Sequence, residues 1–161
     1  MDEFQNPARK YKWFRPNQAA RGFASVSATN KATVSLFNNS KGRNFLVVRD
    51  VRPWIADASL DLAVSYNNGQ VGTSAGTAQP LVPSMPAPAG QVFAIDTATA
   101  YNEDYSLISA AWLPGIWPHD FPFAVLEPGW SLVIQSTNNG LTLLCSFVWE
   151  AIEADQLDWF W

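Results

Sequence analysis

The stretch LEPGWSLVIQSTNNGLTLLCSFVWE, from Leu126 to Glu150, constrains the fold of this chain more than any other. After the Pro128-Gly129 turn, Trp130, Leu132 and Ile134 alternate with Ser131, Val133 and Gln135. That repeat of two puts one side-chain row on each face of a strand and is incompatible with a helix, which repeats near 3.6. Asn139-Gly140 then offers two residues that tolerate positive φ in a tight turn, so the spacing predicts a β-hairpin. Beyond it Leu141, Leu143, Cys145, Phe147, Trp149 and Ala151 share a second apolar face.

The same period extends back through the chain. Runs at Phe23 to Ala28, Lys31 to Phe37, Asn44 to Val51, Ser59 to Asn67, Gln91 to Thr97 and Tyr105 to Trp112 read as strands closed by turn residues, with Asn68-Gly69 as a second hairpin signal. Gly72 to Gly90, with Pro80, Pro83, Pro86 and Pro88, reads as a long loop of polyproline character. Short strands at this spacing, with no long helix, predict an all-β protein: an antiparallel β-sandwich of jelly-roll type. At 161 residues the chain fits one domain. Its expected parts are an extended N-terminal assembly arm (1–21), the sandwich (22–152) and an acidic, aromatic C-terminal tail (153–161).

Charged residues make up 15% of the chain against a usual value near 25%, while eight tryptophans contribute to 14% aromatics. So little charge over so much apolar surface predicts burial against other chains, hence an oligomer. The single cysteine, Cys145, falls on a core-facing row, which excludes an intrachain disulfide and a four-cysteine zinc site. No run of roughly 18 apolar residues would span a membrane, and Met1-Asp2-Glu3 lacks the start of a signal peptide, so synthesis in a cytoplasm is expected.

Chemistry is sparse. His119, the one histidine, has no nucleophile-elbow signature near it, and Asp96, Glu103 and Asp104 match no twelve-residue calcium loop. A carboxylate pair could serve a glycosidase, but sequence places no two such groups together. Neither a P-loop nor a Rossmann glycine pattern occurs, so no cofactor or metal is expected and the chain reads as a non-enzyme.

The arm is the more informative end. Arg9, Lys10, Lys12, Arg15 and Arg21 are half of all basic residues, interleaved with Tyr11, Trp13 and Phe14 and broken by Pro7 and Pro16. Cations among aromatic rings suit nucleic acid, but the chain as a whole carries −4 and offers no further basic face. Docking onto protein is the preferred expectation, with Arg9, Lys10, Tyr11, Lys12, Trp13, Phe14 and Arg15 making contact. The acidic tail ending in Trp159, Phe160 and Trp161 is a second partner-binding candidate. Trp54, Trp112 and Trp117 fall in or near loops, and exposed tryptophans stack on sugars, so a carbohydrate-binding host-attachment module using Trp112 and Trp117 is the alternative.

Leu126-Glu127-Pro128-Gly129, then Leu132 and Ile134, then Phe147-Val148-Trp149-Glu150, resembles the closing hairpin of small structural proteins in tailed bacteriophage particles. The strand from Phe45 to Val51, the Asn-rich turns and the Ala/Thr/Pro loop suit the same group. The resemblance implies a virion protein without catalysis: a capsid decoration or stabilising protein, with a tail or head-fibre component as the alternative. It also implies self-association, often as a homotrimer, and contact with other virion proteins such as the major capsid protein.

Overall fold

The computed structural model describes residues 15–42, 44–55, 61–101, 106–111 and 123–155. A short 3-10 turn at Pro16–Gln18 leads into eleven strands among the described residues: β1 Ala19–Ser27, β2 Lys31–Phe37, β3 Asn44–Ile55, β4 Asp61–Asn68, β5 Ser74–Ala75, β6 Thr77–Pro80, β7 Gln91–Thr97, β8 Ser106–Ala111, β9 Ala124–Leu126, β10 Trp130–Asn139 and β11 Thr142–Glu153. They form two antiparallel sheets, one ordered β6-β1-β11-β3-β9 and the other β5-β7-β2-β10-β4-β8. The protein is all-β, with two sheets facing each other across a core.

The pairings are nested. β1 pairs with β11, β2 with β10, β3 with β9 and β4 with β8, so the first strands meet the last and the middle ones meet each other. The three strands β5, β6 and β7 lie between β4 and β8 in the chain and extend the edges beside β1 and β2.

The core follows the period of two. Leu132 and Ile134 of β10, Leu62 and Val64 of β4, and Val34 and Leu36 of β2 meet Leu143, Cys145, Phe147 and Trp149 of β11. Trp149 is fully buried and its Nε1–H donates to the Ala89 carbonyl at 2.8 Å. This contact fastens the proline-rich loop. Gly90 turns there at φ +114°, and a Cβ on it would lie 2.5 Å from the indole nitrogen, so only glycine lets the loop close on the ring.

Several expectations are corrected. The hairpin predicted at Asn139-Gly140 does not form, because β10 and β11 belong to opposite sheets. Gly140 does adopt positive φ (+76°), but both apolar rows then face one core from opposite sides, and each strand finds backbone partners elsewhere. Asn68-Gly69 likewise turns, with Gly69 at φ +112°, without joining neighbouring strands. A local turn signal fixes a reversal, not which sheet receives the next strand.

β3 runs on through Pro53 to Ile55 instead of stopping before the proline. On the flank away from β11, β9 pairs only with Leu46, Val47 and Val48. Beyond those residues β3 is therefore an edge among the described residues, where a missing N–H is tolerated. β1 begins at Ala19, so Ala19, Ala20 and Arg21, assigned to the arm by sequence, belong to the sheet and pair with Glu150, Trp149 and Val148.

The six-stranded sheet is covered on its outer side as well. Thr33, Ser35, Ser131 and Gln135 are buried there, which a one-sided amphipathic pattern does not anticipate. Each finds a partner. Gln135 donates from Nε2 to Thr33 Oγ1 and to the Thr99 carbonyl, both at 2.8 Å, and accepts the Tyr101 N–H at 3.1 Å. Ser131 Oγ donates to the Gly69 carbonyl at 2.7 Å, and Ser35 Oγ to that of Val71. Loops at Gly69–Val71 and Thr99–Tyr101 thus close this face, as buried polar groups require.

Candidate functional site

The five-stranded sheet is left, and its outer face divides into two parts. At the end where the chain enters, Glu150 is wholly buried on the outer row of β11. Its Oε1 accepts the backbone N–H of Arg15, and its Oε2 accepts Arg49 Nε at 2.9 Å and lies 2.8 Å from Arg49 Nη2. A register shift explains how Arg49 gets there. Val148 faces Asp50 while the next residue, Trp149, faces Val48, so Arg49 is the extra residue of a β-bulge, and bulges re-aim a side chain. Val47, Ile152 and Val125 form a small apolar cluster beside it, separate from the main core.

Both carboxylate oxygens are therefore committed. A buried charge of this kind persists only when paired and hydrogen-bonded. Its place in the chain is informative, because Arg15 is the residue at which the basic, aromatic segment ends and the sheet domain begins. The carboxylate clamps the root of that segment to the sheet.

The other part of the face is open. Arg21 of β1 sits opposite Val148 of β11, which sits opposite Asp50 of β3; the next rows are Phe23, Ser146 and Arg52, then Ser25, Leu144 and Trp54. Gln79 and Thr77 of β6 extend the first two rows. The first two rows line a shallow depression of about 470 Å³, and Trp54 stands on the row just beyond it. Phe23 is 49% exposed and Trp54 56%, the two most exposed large apolar residues among those described. Arg52 Nε donates to Asp50 Oδ2 at 2.7 Å, whereas Arg21 makes no ion pair among the described residues.

Of the residues singled out from sequence, the described ones include Arg15, Arg21, Trp54, Asp96 and Cys145. Arg15 stands at the clamp and Trp54 on the open face. Asp96 holds a turn: its two carboxylate oxygens accept the N–H groups of Thr29 and Asn30 at 2.9 Å each, which keeps its pKa below the ordinary carboxylate value. That is a staple between β7 and the β1–β2 turn. The Cys145 thiol is buried in the core, and burial, with the Asp50 charge second, pushes its pKa well up. Arg9, Lys10, Tyr11, Lys12, Trp13, Phe14, Glu103, Asp104, Trp112, Trp117, His119, Trp159, Phe160 and Trp161 lie outside the described residues.

Comparison with protein-family models, with curated protein sequences and with solved structures finds no match.

Proposed function

We propose that this chain is a non-enzymatic structural protein of a bacteriophage particle, a capsid decoration or stabilising protein. On this reading it is a jelly-roll sandwich, self-associated as a homotrimer, that docks on the major capsid protein through the segment before Arg15. The nested pairing of β1 with β11, β2 with β10, β3 with β9 and β4 with β8 favours the jelly roll, because a long antiparallel ribbon folded over on itself gives that order. Jelly rolls serve capsids and lectins alike, so the function has to come from a site.

The observation that carries the proposal is the clamp at Glu150. A buried carboxylate that spends one oxygen on the backbone of Arg15 gives the arm a fixed point of departure from a rigid sheet. Arg9, Lys10, Tyr11, Lys12, Trp13 and Phe14 then supply the cations and rings that dock. Deleting residues 2–14, which spares Arg15 and β1, tests this. The deleted chain is expected to keep its native mass and β-sheet circular dichroism but to be lost from purified particles. Incorporation at the level of the full chain would refute the arm's role.

A further inference from the structure

Phe23 and Trp54 leave exposed apolar surface beside Arg21, which has no ion-pair partner among the described residues, and the acidic, aromatic segment Glu153, Asp155, Asp158, Trp159, Phe160, Trp161 is a second motif without an assigned contact. We infer that the open face running from the depression beside Phe23 to Trp54 on the next row receives the part of this segment after Glu153 from a second copy of the chain. The inference deepens the proposed self-association and rests on it, but does not need the particle.

Complementarity selects the occupant. Arg21 and Arg52 outnumber Asp50 in the depression, and Arg52 already neutralises Asp50, which leaves Arg21 to meet an anion. The basic segment at residues 9–12 is of the wrong sign; the segment after Glu153 carries carboxylates and rings together. The sizes also agree. Phe23 and Trp54 are two strands apart and two residues out of register, so their Cα atoms are about 12 Å apart at 4.8 Å per strand and 3.4 Å per residue. In an extended run Trp159 and Trp161 project on one side about 7 Å apart, which fits between those rings.

Reach decides that the segment comes from another copy. Trp54 faces Leu144, nine residues back along β11 from Glu153, or about 31 Å away. From the same Glu153, Trp161 is eight residues on, at most about 27 Å fully extended, and Trp159 six, at most about 20 Å, which is short even of Ser146 opposite Phe23, about 24 Å away. A chain therefore cannot lay its own aromatic run between its own Phe23 and Trp54. Each copy donates one segment and offers one groove, which satisfies either a reciprocal pair or a closed head-to-tail ring such as a trimer.

Mixing two full-length variants tests the exchange. One carries Phe23→Ala and Trp54→Ala, two exposed positions whose loss leaves the core intact; the other carries Trp159→Ser, Phe160→Ser and Trp161→Ser. By native mass measurement the unsubstituted chain is expected to be an oligomer and each variant alone a monomer. An equimolar mixture is expected to recover a dimer, because the second variant's groove is intact and so is the first variant's segment. Arg21→Glu alone should weaken association at least tenfold, and more at low salt. Variants that keep the unsubstituted mass, or a mixture that stays monomeric, would overturn the exchange while leaving self-association standing. A monomeric unsubstituted chain would remove both. An oligosaccharide that binds the unsubstituted chain, is lost in Trp54→Ala and leaves the mass unchanged would assign the groove to sugar and overturn the exchange too.

Discussion

Trp149→Ala is expected to lower stability by about 3–5 kcal/mol, the range for truncating a large buried aromatic. That is a large share of the roughly 5–15 kcal/mol available to a domain of this size. The size of the effect follows from position: the ring is fully buried in the core shared by both sheets, and Gly22 and Gly90 both pack against it without side chains. A second loss adds to the cavity. Without Nε1–H the Ala89 carbonyl gives up its 2.8 Å bond, and the loop that closes on the ring loses its fastening. Trp149→Phe separates the two contributions. It keeps most of the packing and removes the donor, so a loss nearer 1–2 kcal/mol is expected. Urea denaturation followed by tryptophan fluorescence measures both; an alanine variant within 1 kcal/mol of the unsubstituted chain, well below the core-truncation range, would mean the ring is not the core's anchor.

Glu150→Gln is expected to cost about 3 kcal/mol despite its near-identical shape. A carboxylate presents two acceptors, and here one takes the Arg15 N–H and the other takes Arg49. An amide has one acceptor and one donor. Whichever way it turns, its NH2 group confronts either the Arg15 N–H or the Arg49 guanidinium. Replacing the pair together, Glu150→Leu with Arg49→Met, should recover most of that stability, because two matched apolar groups leave no buried charge. The double variant should nonetheless fail to hold the Arg15 N–H. Limited proteolysis is the discriminating readout: both variants are expected to be cleaved faster around Arg15 than the unsubstituted chain. Unchanged cleavage in either would show that the clamp does not fix the root.

These two residues adjoin each other in sequence, and only one was legible there. Trp149 lies on an unbroken apolar row, so period two alone assigns it to the core. Glu150 reads as an ordinary outward carboxylate, because its partners are backbone at Arg15 and a bulged arginine 101 positions away. Neither long-range register nor a bulge has a signature in local pattern. The same limit hid the open face. In β1 the inward row is Ala20, Gly22, Ala24 and Val26, kept small because Trp149 and Val92 fill the space beneath it, while the bulky Phe23 points outward. Hydrophobicity alone would place Phe23 inside. The all-β class was legible because alternation recurs in nearly every run, and β2 and β7 match their expected bounds. Sheet assignment was not, since an Asn-Gly turn looks the same whether it joins neighbours or crosses the core.

The most direct measurement for the proposed role is the native mass of the purified full-length chain, taken together with its presence on purified phage particles. A trimer that co-sediments with particles at fixed stoichiometry is the predicted result. A monomer that never co-purifies with them would contradict it.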